Sequence, residues 1–203
     1  MNLTVFKIRL AKLKEKLRDN NIETAIITDE DNVYYLCGYY DYLHMDFGRP
    51  TLLIISVDRE ILLVTPAIDL NTAQEAACVD RISAWNDGMG EEWRAELPQI
   101  LQKSGRIAIE PDQMPPIVKS YIDQEVPSNQ VANVTPILST MRMVKSDEEL
   151  KIARDAGKVA NAMMLAGREA IGDGVAEYEV AIATSNAGTK KAAEILKLSL
   201  IHI

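Results

Sequence analysis

The sequence has few of the features that mark secreted or membrane-bound proteins. It contains two cysteines among 203 residues, Cys37 and Cys78, and a disulfide framework needs more of them in a smaller protein. We therefore expect two reduced, buried thiols. No run of about 18 apolar residues predicts a membrane span, and residues 1–18 alternate apolar and basic side chains, unlike a signal peptide. A cytoplasmic protein without membrane contact is expected.

Excess positive charge is also absent. The chain has 22 Lys and Arg against 30 Asp and Glu, a net charge of −8. An acidic balance argues against nonspecific binding to nucleic acid or to an anionic membrane. The most basic stretch, Lys12–Arg18, is interrupted by Glu15 and is typical of the solvated face of a helix.

Histidine is scarce, with only His44 and His202. A two-metal hydrolytic site needs several convergent carboxylates and usually a histidine. The acidic runs Asp29–Asp31 and Asp147–Glu149 are predicted to lie in a turn and at a helix start, where carboxylates serve local structure. We expect no metal or other cofactor to be bound by this chain.

Alternating helix and strand patterns predict an α/β domain over residues 1–137, a mixed sheet flanked by helices. The three residues between the runs Leu52–Val57 and Ile61–Thr65 suit a hairpin, so these two strands are expected to be antiparallel. The predicted strands are Thr24–Thr28, Leu52–Val57, Ile61–Thr65, Val79–Trp85, Arg106–Glu110 and Val131–Val134, and the predicted helices are Phe6–Leu17, Ala67–Ala77, Glu91–Lys103 and Pro115–Asp123.

Residues 138–203 have a different character and are predicted to be a linker and the start of a second domain. Ser146–Glu149 has the capping-box pattern and begins a long predicted helix, and a second helix is predicted from about Glu177 to Lys197. Two helices rich in Ala and Met need a further surface to cover their apolar faces. We therefore expect an incomplete second domain, and the apolar tail Leu198–Ile203 has no evident place to pack.

Several segments, in this order, resemble the creatinase/Xaa-Pro peptidase (prolidase, M24-type) family. Residues 31–39 are similar to its Asn-x-x-Tyr-Leu-x-Gly motif, residues 141–150 to its Arg-x-x-Lys-(Ser/Asp)-x-x-Glu linker, and residues 174–181 to its Gly-x-x-Glu-x-Glu turn. Residues 46–49 contain the Phe-Gly-Arg sequence of creatinases. Together with residues 179–187, they place the closest resemblance with creatinase and ectoine hydrolase-like members.

The resemblance implies a hydrolase as the full-length parent, which cleaves a C–N bond in a small nitrogen-containing carboxylate or peptide. It implies a homodimer, in which the N-terminal domain of one subunit lies over the active site of the other. Phe47 and Arg49 would then contact the substrate carboxylate. The catalytic motifs of the family, including the divalent metal pair of its peptidases, lie further along the chain and do not occur here. The resemblance thus implies no catalytic residue in this chain, which would be inactive alone.

Other interpretations stay open from the sequence. The chain could be a noncatalytic dimerisation or partner-binding module of the same fold. Arg49 could pair with a neighbouring aspartate at the surface, and Phe47 could be a core aromatic residue. His44 either lines the same site or has no role, and Cys37 is either a nucleophile or a packing thiol.

Overall fold

The structure is a computed structural model that describes residues 3–40, 50–86, 88 and 90–197. The chain divides into two compact units, one ending at Met143 and the other beginning at Val144. Within the described ranges, no helix is long and apolar enough to cross a membrane.

The first unit is a six-stranded sheet covered by helices on both faces. Its strands are β1 (Thr24–Ile27), β2 (Leu52–Ser56), β3 (Ile61–Pro66), β4 (Arg81–Trp85), β5 (Ile107–Ile109) and β6 (Val131–Asn133), and its helices are α1 (Leu3–Asp19), α2 (Glu30–Cys37), α3 (Leu70–Ala76), α4 (Leu97–Gln102), α5 (Pro116–Glu125) and α6 (Thr135–Met143).

The sheet has the strand order β4-β3-β2-β1-β5-β6. Strand β2 is antiparallel to both of its neighbours, and all other neighbouring pairs are parallel. The predicted mixed sheet and its hairpin are therefore confirmed. Because β2 alone is reversed, its first residue lies at the same edge as the last residues of the other five strands. We call this edge the carboxyl edge.

The central strands are buried on both faces, which explains their nearly continuous apolar sequences. One layer of the core includes Leu17, Leu36 and Leu138 from α1, α2 and α6. The other layer includes Leu97 and Ile122 from α4 and α5. Helices α1, α2 and α6 thus share one face of the sheet, and this is the face that positions the site described below.

Two helices of the first unit were not predicted. The acidic run Asp29–Asp31, interpreted as a turn, begins α2, because the Asp29 side chain accepts a hydrogen bond from the Asn32 amide as the N-cap. The segment interpreted as a linker contains α6 and has Pro136 in its first turn. Helix α6 spans the predicted domain boundary after residue 137 and belongs to the first unit.

The predicted helix over residues 91–103 is interrupted. Residues Glu92–Arg94 form a single 3₁₀ turn, and α4 begins only at Leu97. Pro98 has no amide hydrogen, so it is tolerated in the first turn of a helix and not in its interior. The helix therefore starts at the proline instead of continuing through it.

The second unit is a pair of helices, α7 (Asp147–Ala170) and α8 (Glu177–Leu196). The predicted capping box is confirmed: the Glu149 amide donates to Ser146 Oγ over 3.3 Å, and the Ser146 amide donates to the Glu149 carboxylate over 2.8 Å. The helices approach closely at Gly188, where a Cβ atom would lie 2.7 Å from Met163 Cγ. Large apolar side chains stay exposed, among them Met164, Leu165, Tyr178 and Ile182.

Gly38 ends α2 in the left-handed conformation, with φ of 84°. A Cβ atom at this position would also lie 2.7 Å from Phe6 Cε2. We expect Gly38→Ala to lower the free energy of unfolding by more than the roughly 1–2 kcal/mol that the backbone conformation alone costs, measured by urea unfolding. Gly90→Ala is the matched control, because Gly90 has φ of 88° and open space at its Cβ position. Equal losses in the two variants would show that the contact with Phe6 has no energetic role.

Candidate functional site at the carboxyl edge of the sheet

The carboxyl edge is where open α/β sheets bind their ligands. The chain between Tyr40 and Pro50 connects α2 to β2, and β2 begins at this edge. The sequence-predicted site residues Phe47 and Arg49, together with His44, belong to this connection and lie outside the described residues. The structure does define the two ends between which the connection runs. We call residues 41–49 the edge segment.

Two residues that flank the edge segment, Tyr39 and Thr51, both contact one threonine. Thr65, near the end of β3, has its Oγ1 atom 3.0 Å from the Tyr39 hydroxyl and 3.3 Å from Thr51 Oγ1. All three residues are buried. Leaving a buried hydroxyl without a hydrogen-bond partner lowers stability by about 1–3 kcal/mol. The contacts with Thr65 therefore hold Tyr39 and Thr51 in defined positions.

A buried carboxylate lies at the same edge. Glu110 directly follows β5 and is fully buried. Its Oε2 atom accepts hydrogen bonds from the amides of Thr28 and Asp29 over 3.0 and 3.1 Å. Its Oε1 atom accepts one from Asn32 Nδ2 over 2.5 Å. Glu110 thus fixes the start of α2 to the ends of β1 and β5.

Asn32 extends these contacts to α6. Its Oδ1 atom accepts a hydrogen bond from Arg142 Nη1 over 2.6 Å, and Arg142 Nη2 lies 3.7 Å from an Asp31 carboxylate oxygen. Beside this pair, the Tyr35 hydroxyl donates to the Met141 carbonyl over 3.1 Å. Helices α2 and α6 are therefore joined by polar contacts as well as by the apolar core. We call Glu110, Asn32, Arg142 and Tyr35 the edge network.

Tyr35 lies between two guanidinium groups. The ring centroid is 4.1 Å from Arg9 Cζ and 5.8 Å from Arg142 Cζ, distances at which a cation is attracted to an aromatic face. Arg9 Nη1 also donates to the Tyr35 carbonyl over 2.8 Å. Helix α2 is thus fixed on the side of α1 as well as on the side of α6.

The described residues do not fit a divalent metal pair. No group of three or more His, Cys, Asp and Glu side chains in the described ranges is placed to hold a metal ion. Asp29–Asp31 begins α2, and Asp147–Glu149 forms the first turn of α7. The carboxylates of these runs therefore lie where they favour helix starts.

The cysteines differ from each other. Cys37 is buried, and burial raises the pKa of its thiol to about 12. Because the thiolate is the reactive form, Cys37 is a packing residue. Cys78 is only partly buried, so the expectation of two buried thiols was wrong for this residue. Neither cysteine forms a disulfide.

Sequence reasoning missed the role of Glu110 and used Asn32, Tyr35 and Arg142 only as motif residues. The one local signal for Glu110 was a charged residue that ends an apolar strand and precedes Pro111. The partners of Glu110 come from residues 28–32, about 80 positions earlier in the chain. No periodicity within a single element predicts such a contact.

Burial raises the pKa of the Glu110 carboxyl above its ordinary value of 4.5, although the hydrogen bonds from Asp29, Thr28 and Asn32 oppose the shift. A raised folded-state pKa contributes stability that is fully present below the unfolded-state pKa and is lost as the pH rises through the folded-state pKa. We expect the free energy of unfolding of the wild type, relative to Glu110→Gln, to be highest at low pH and to fall as the pH rises from about 4 towards neutrality.

Urea unfolding over a series of pH values measures this difference. Glu15→Gln, which changes an exposed carboxyl on α1, controls for the general effect of losing one negative charge. A wild-type advantage that grows with pH would show instead that the three donors outweigh burial and lower the pKa.

Comparison with known proteins agrees with this fold. The chain is 26% identical to creatinase from Bacillus sp. strain B-0618 over 178 residues, which cover 86% of this chain and 42% of that protein. It is 25% identical to the Xaa-Pro dipeptidase of Lactobacillus helveticus over 178 residues, 86% of this chain and 47% of that protein. The chain thus spans less than half the length of these curated relatives.

Solved structures share the architecture. The prolidase from Pyrococcus horikoshii OT3 superposes with a TM-score of 0.73 at 21% identity, over 90% of this chain and 48% of that chain. A Creatine_N superfamily domain of a dipeptidase from Streptococcus thermophilus superposes with a TM-score of 0.53 at 21% identity, over 66% of this chain and 97% of that chain. Residues 9–144 match the family described as the Creatinase/Prolidase N-terminal domain. This chain therefore belongs to the creatinase/prolidase N-terminal domain family.

Proposed function

We propose that this chain is the N-terminal part of a C–N bond hydrolase of the creatinase/Xaa-Pro peptidase type. In this role it contributes subunit contacts and contacts to the substrate carboxylate, and the catalytic residues belong to the rest of the parent protein. The family match over residues 9–144 supports the proposal. The substrate role is supported mainly by the contacts of Tyr39 and Thr51, which flank the edge segment, with Thr65 at the carboxyl edge.

The edge segment suits carboxylate binding by its chemistry. Arg49 offers a planar guanidinium, which binds a carboxylate with two parallel hydrogen bonds. Phe47 offers an aromatic side chain that excludes water from such a pair. The buried residues Tyr39 and Thr51 flank the segment. The conformational entropy of these two residues is therefore already lost on folding.

The complete protein is proposed to act on a small nitrogen-containing carboxylate or peptide, as a cytoplasmic homodimer. Any divalent metal pair belongs to the part of the parent that carries the catalytic motifs, since the described residues of this chain do not fit one. The acidic net charge of −8 disfavours nucleic acid as a partner.

A noncatalytic dimerisation or partner-binding module is the second candidate. It is favoured by the first unit, which has its own sheet and a core on both faces. The Streptococcus thermophilus domain, which this chain covers over 97% of its length, has a similar fold as a separate domain. Co-expression with a complete catalytic domain of the family distinguishes the two functions, because only the first produces substrate turnover that depends on the edge segment.

The 203-residue chain by itself is expected not to hydrolyse creatine, ectoine or Xaa-Pro dipeptides, with or without added Mn²⁺ or Co²⁺. The described residues provide neither a metal-binding cluster nor a reactive thiolate at Cys37. Product formation is measured by chromatography, with a complete family enzyme as the positive control. Turnover by a homogeneous preparation of this chain would contradict the assignment.

Arg49→Ala is expected to weaken the apparent substrate affinity of the assembled enzyme at least about tenfold. A hydrogen bond to a charged group contributes about 1.5–3 kcal/mol. Steady-state kinetics of the chain fused to or co-expressed with a complete catalytic domain measure the effect. Arg106→Ala is the matched control, because Arg106 is exposed and precedes β5, at the opposite edge of the sheet. Equal affinity of the Arg49→Ala variant and the wild type would exclude the substrate role.

A further inference from the structure

We propose that Asn32 and Arg142 are positioning residues, which fix the end of α2, with Gly38 and Tyr39, relative to helix α6. The proposal deepens the proposed function, since it concerns how the substrate-contacting segment is held, and it rests on that function for its consequence in catalysis. Neither residue needs to touch the substrate. Their role is argued from contacts among described residues.

Helix α2 is the element through which the positioning acts. It is only eight residues long, Glu30–Cys37, so a contact at its start lies within about 12 Å of its end. At that end, Gly38 turns the chain into Tyr39, which is the first attachment of the edge segment. The Cys37 carbonyl also accepts a hydrogen bond from the Cys78 amide over 2.7 Å. Any rotation of α2 therefore moves Tyr39, which precedes the edge segment.

Position 32 uses both ends of an amide side chain. Asn32 donates to the Glu110 carboxylate through Nδ2 and accepts from the Arg142 guanidinium through Oδ1, so one side chain serves both partners through separate atoms. An aspartate here would place a second carboxylate against Glu110. An alanine would remove one partner from Glu110 and another from Arg142. Asn32 thus couples a buried acid in the sheet to a cation on α6.

Arg142 fixes the last turn of α6. Its guanidinium contacts the Asn32 side chain and the Asp31 carboxylate. The carbonyl of Met141, the preceding residue, accepts a hydrogen bond from the Tyr35 hydroxyl. All of these partners are on α2. The first unit ends at Met143. Its last residues are therefore held by the same short helix, α2, that precedes the edge segment in the chain. Loss of the Arg142 contacts is therefore expected to loosen both.

The test uses the 203-residue chain and two amides that report on the end of α2. The Gly38 amide bonds to the Tyr34 carbonyl, and the Cys78 amide bonds to the Cys37 carbonyl. Hydrogen exchange at both is expected to speed up about tenfold in Arg142→Gln, as expected for loss of a charge-assisted hydrogen bond. The Val126 amide, which bonds to the Ile122 carbonyl at the end of α5, should change much less.

Three further variants separate positioning from general stabilisation. Arg142→Lys keeps a charged donor for Asn32, whereas Arg142→Gln keeps only a neutral one, so Arg142→Lys should restore most of the protection. Asn32→Ala combined with Arg142→Gln should speed exchange by less than the product of the two single effects, because the two residues share one contact. Arg81→Gln removes an arginine that pairs with Glu60 and Glu96 elsewhere in the unit, and it should affect the Gly38 and Cys78 amides no more than the Val126 amide.

The proposal is overturned if the Arg142→Gln variant leaves the Gly38 and Cys78 amides unchanged, or if the effects of the Asn32 and Arg142 changes simply add. It is also overturned if Arg142→Lys exchanges as fast as Arg142→Gln. Because exchange is measured without substrate, these outcomes do not depend on the proposed hydrolase function. That function fails separately if Arg49→Ala leaves substrate affinity unchanged.

Discussion

A buried carboxylate accepting three hydrogen bonds organises one edge of this domain. An ionised group of this kind is tolerated inside a protein only when its oxygen atoms have partners, and the partners of Glu110 are the amides of Thr28 and Asp29 and the side chain of Asn32. Leaving a buried polar group without a hydrogen-bond partner costs about 1–3 kcal/mol, and more for a charged group. The end of β1, the end of β5 and the start of α2 must therefore meet at this point.

The rest of the edge depends on the single antiparallel strand. If β2 were parallel to its neighbours, it would begin at the opposite edge, and the chain after α2 would have to cross the sheet. Since β2 is reversed, it begins at the edge where β3 ends, and Tyr39 and Thr51, which flank residues 41–49 in the chain, both contact Thr65 there. The topology thus brings residues from both sides of the edge segment to one point of the sheet.

The second unit differs from the first in how its apolar side chains are packed. Its two helices meet at small residues, where Gly167 lies against Thr184 and Gly188 against Met163. This close approach leaves apolar side chains exposed on the outer faces, including Ile152, Leu165 and Ile182. The matched residues cover only 42% and 47% of the two curated relatives. The first unit has its core within its own residues, whereas the helix pair buries little of its apolar surface by itself.

Much of this architecture was determined by sequence alone. The β-branched runs predicted the strands, the three residues Asp58–Glu60 predicted the antiparallel pair, and Ser146–Glu149 predicted the helix start. Local chemistry decides each of these, because side-chain periodicity, turn length and capping act over a few residues. The family motifs were also recognisable, although the sequence attached no physical role to Asn32 or Arg142.

The contacts of the motif residues Asn32 and Arg142 became visible only in the tertiary structure. Helix α2 is short and acidic at its start, and its stability comes from Glu110, about 80 residues later, and from Arg142, 110 residues later. Contacts over such distances have no signature in a local pattern, so only a turn was predicted at Asp29–Asp31, where the helix begins. The sequence by itself determined the strands, most of the helices and the resemblance to the family. The sheet, by bringing distant parts of the chain to one edge, decided which side chains contact each other there.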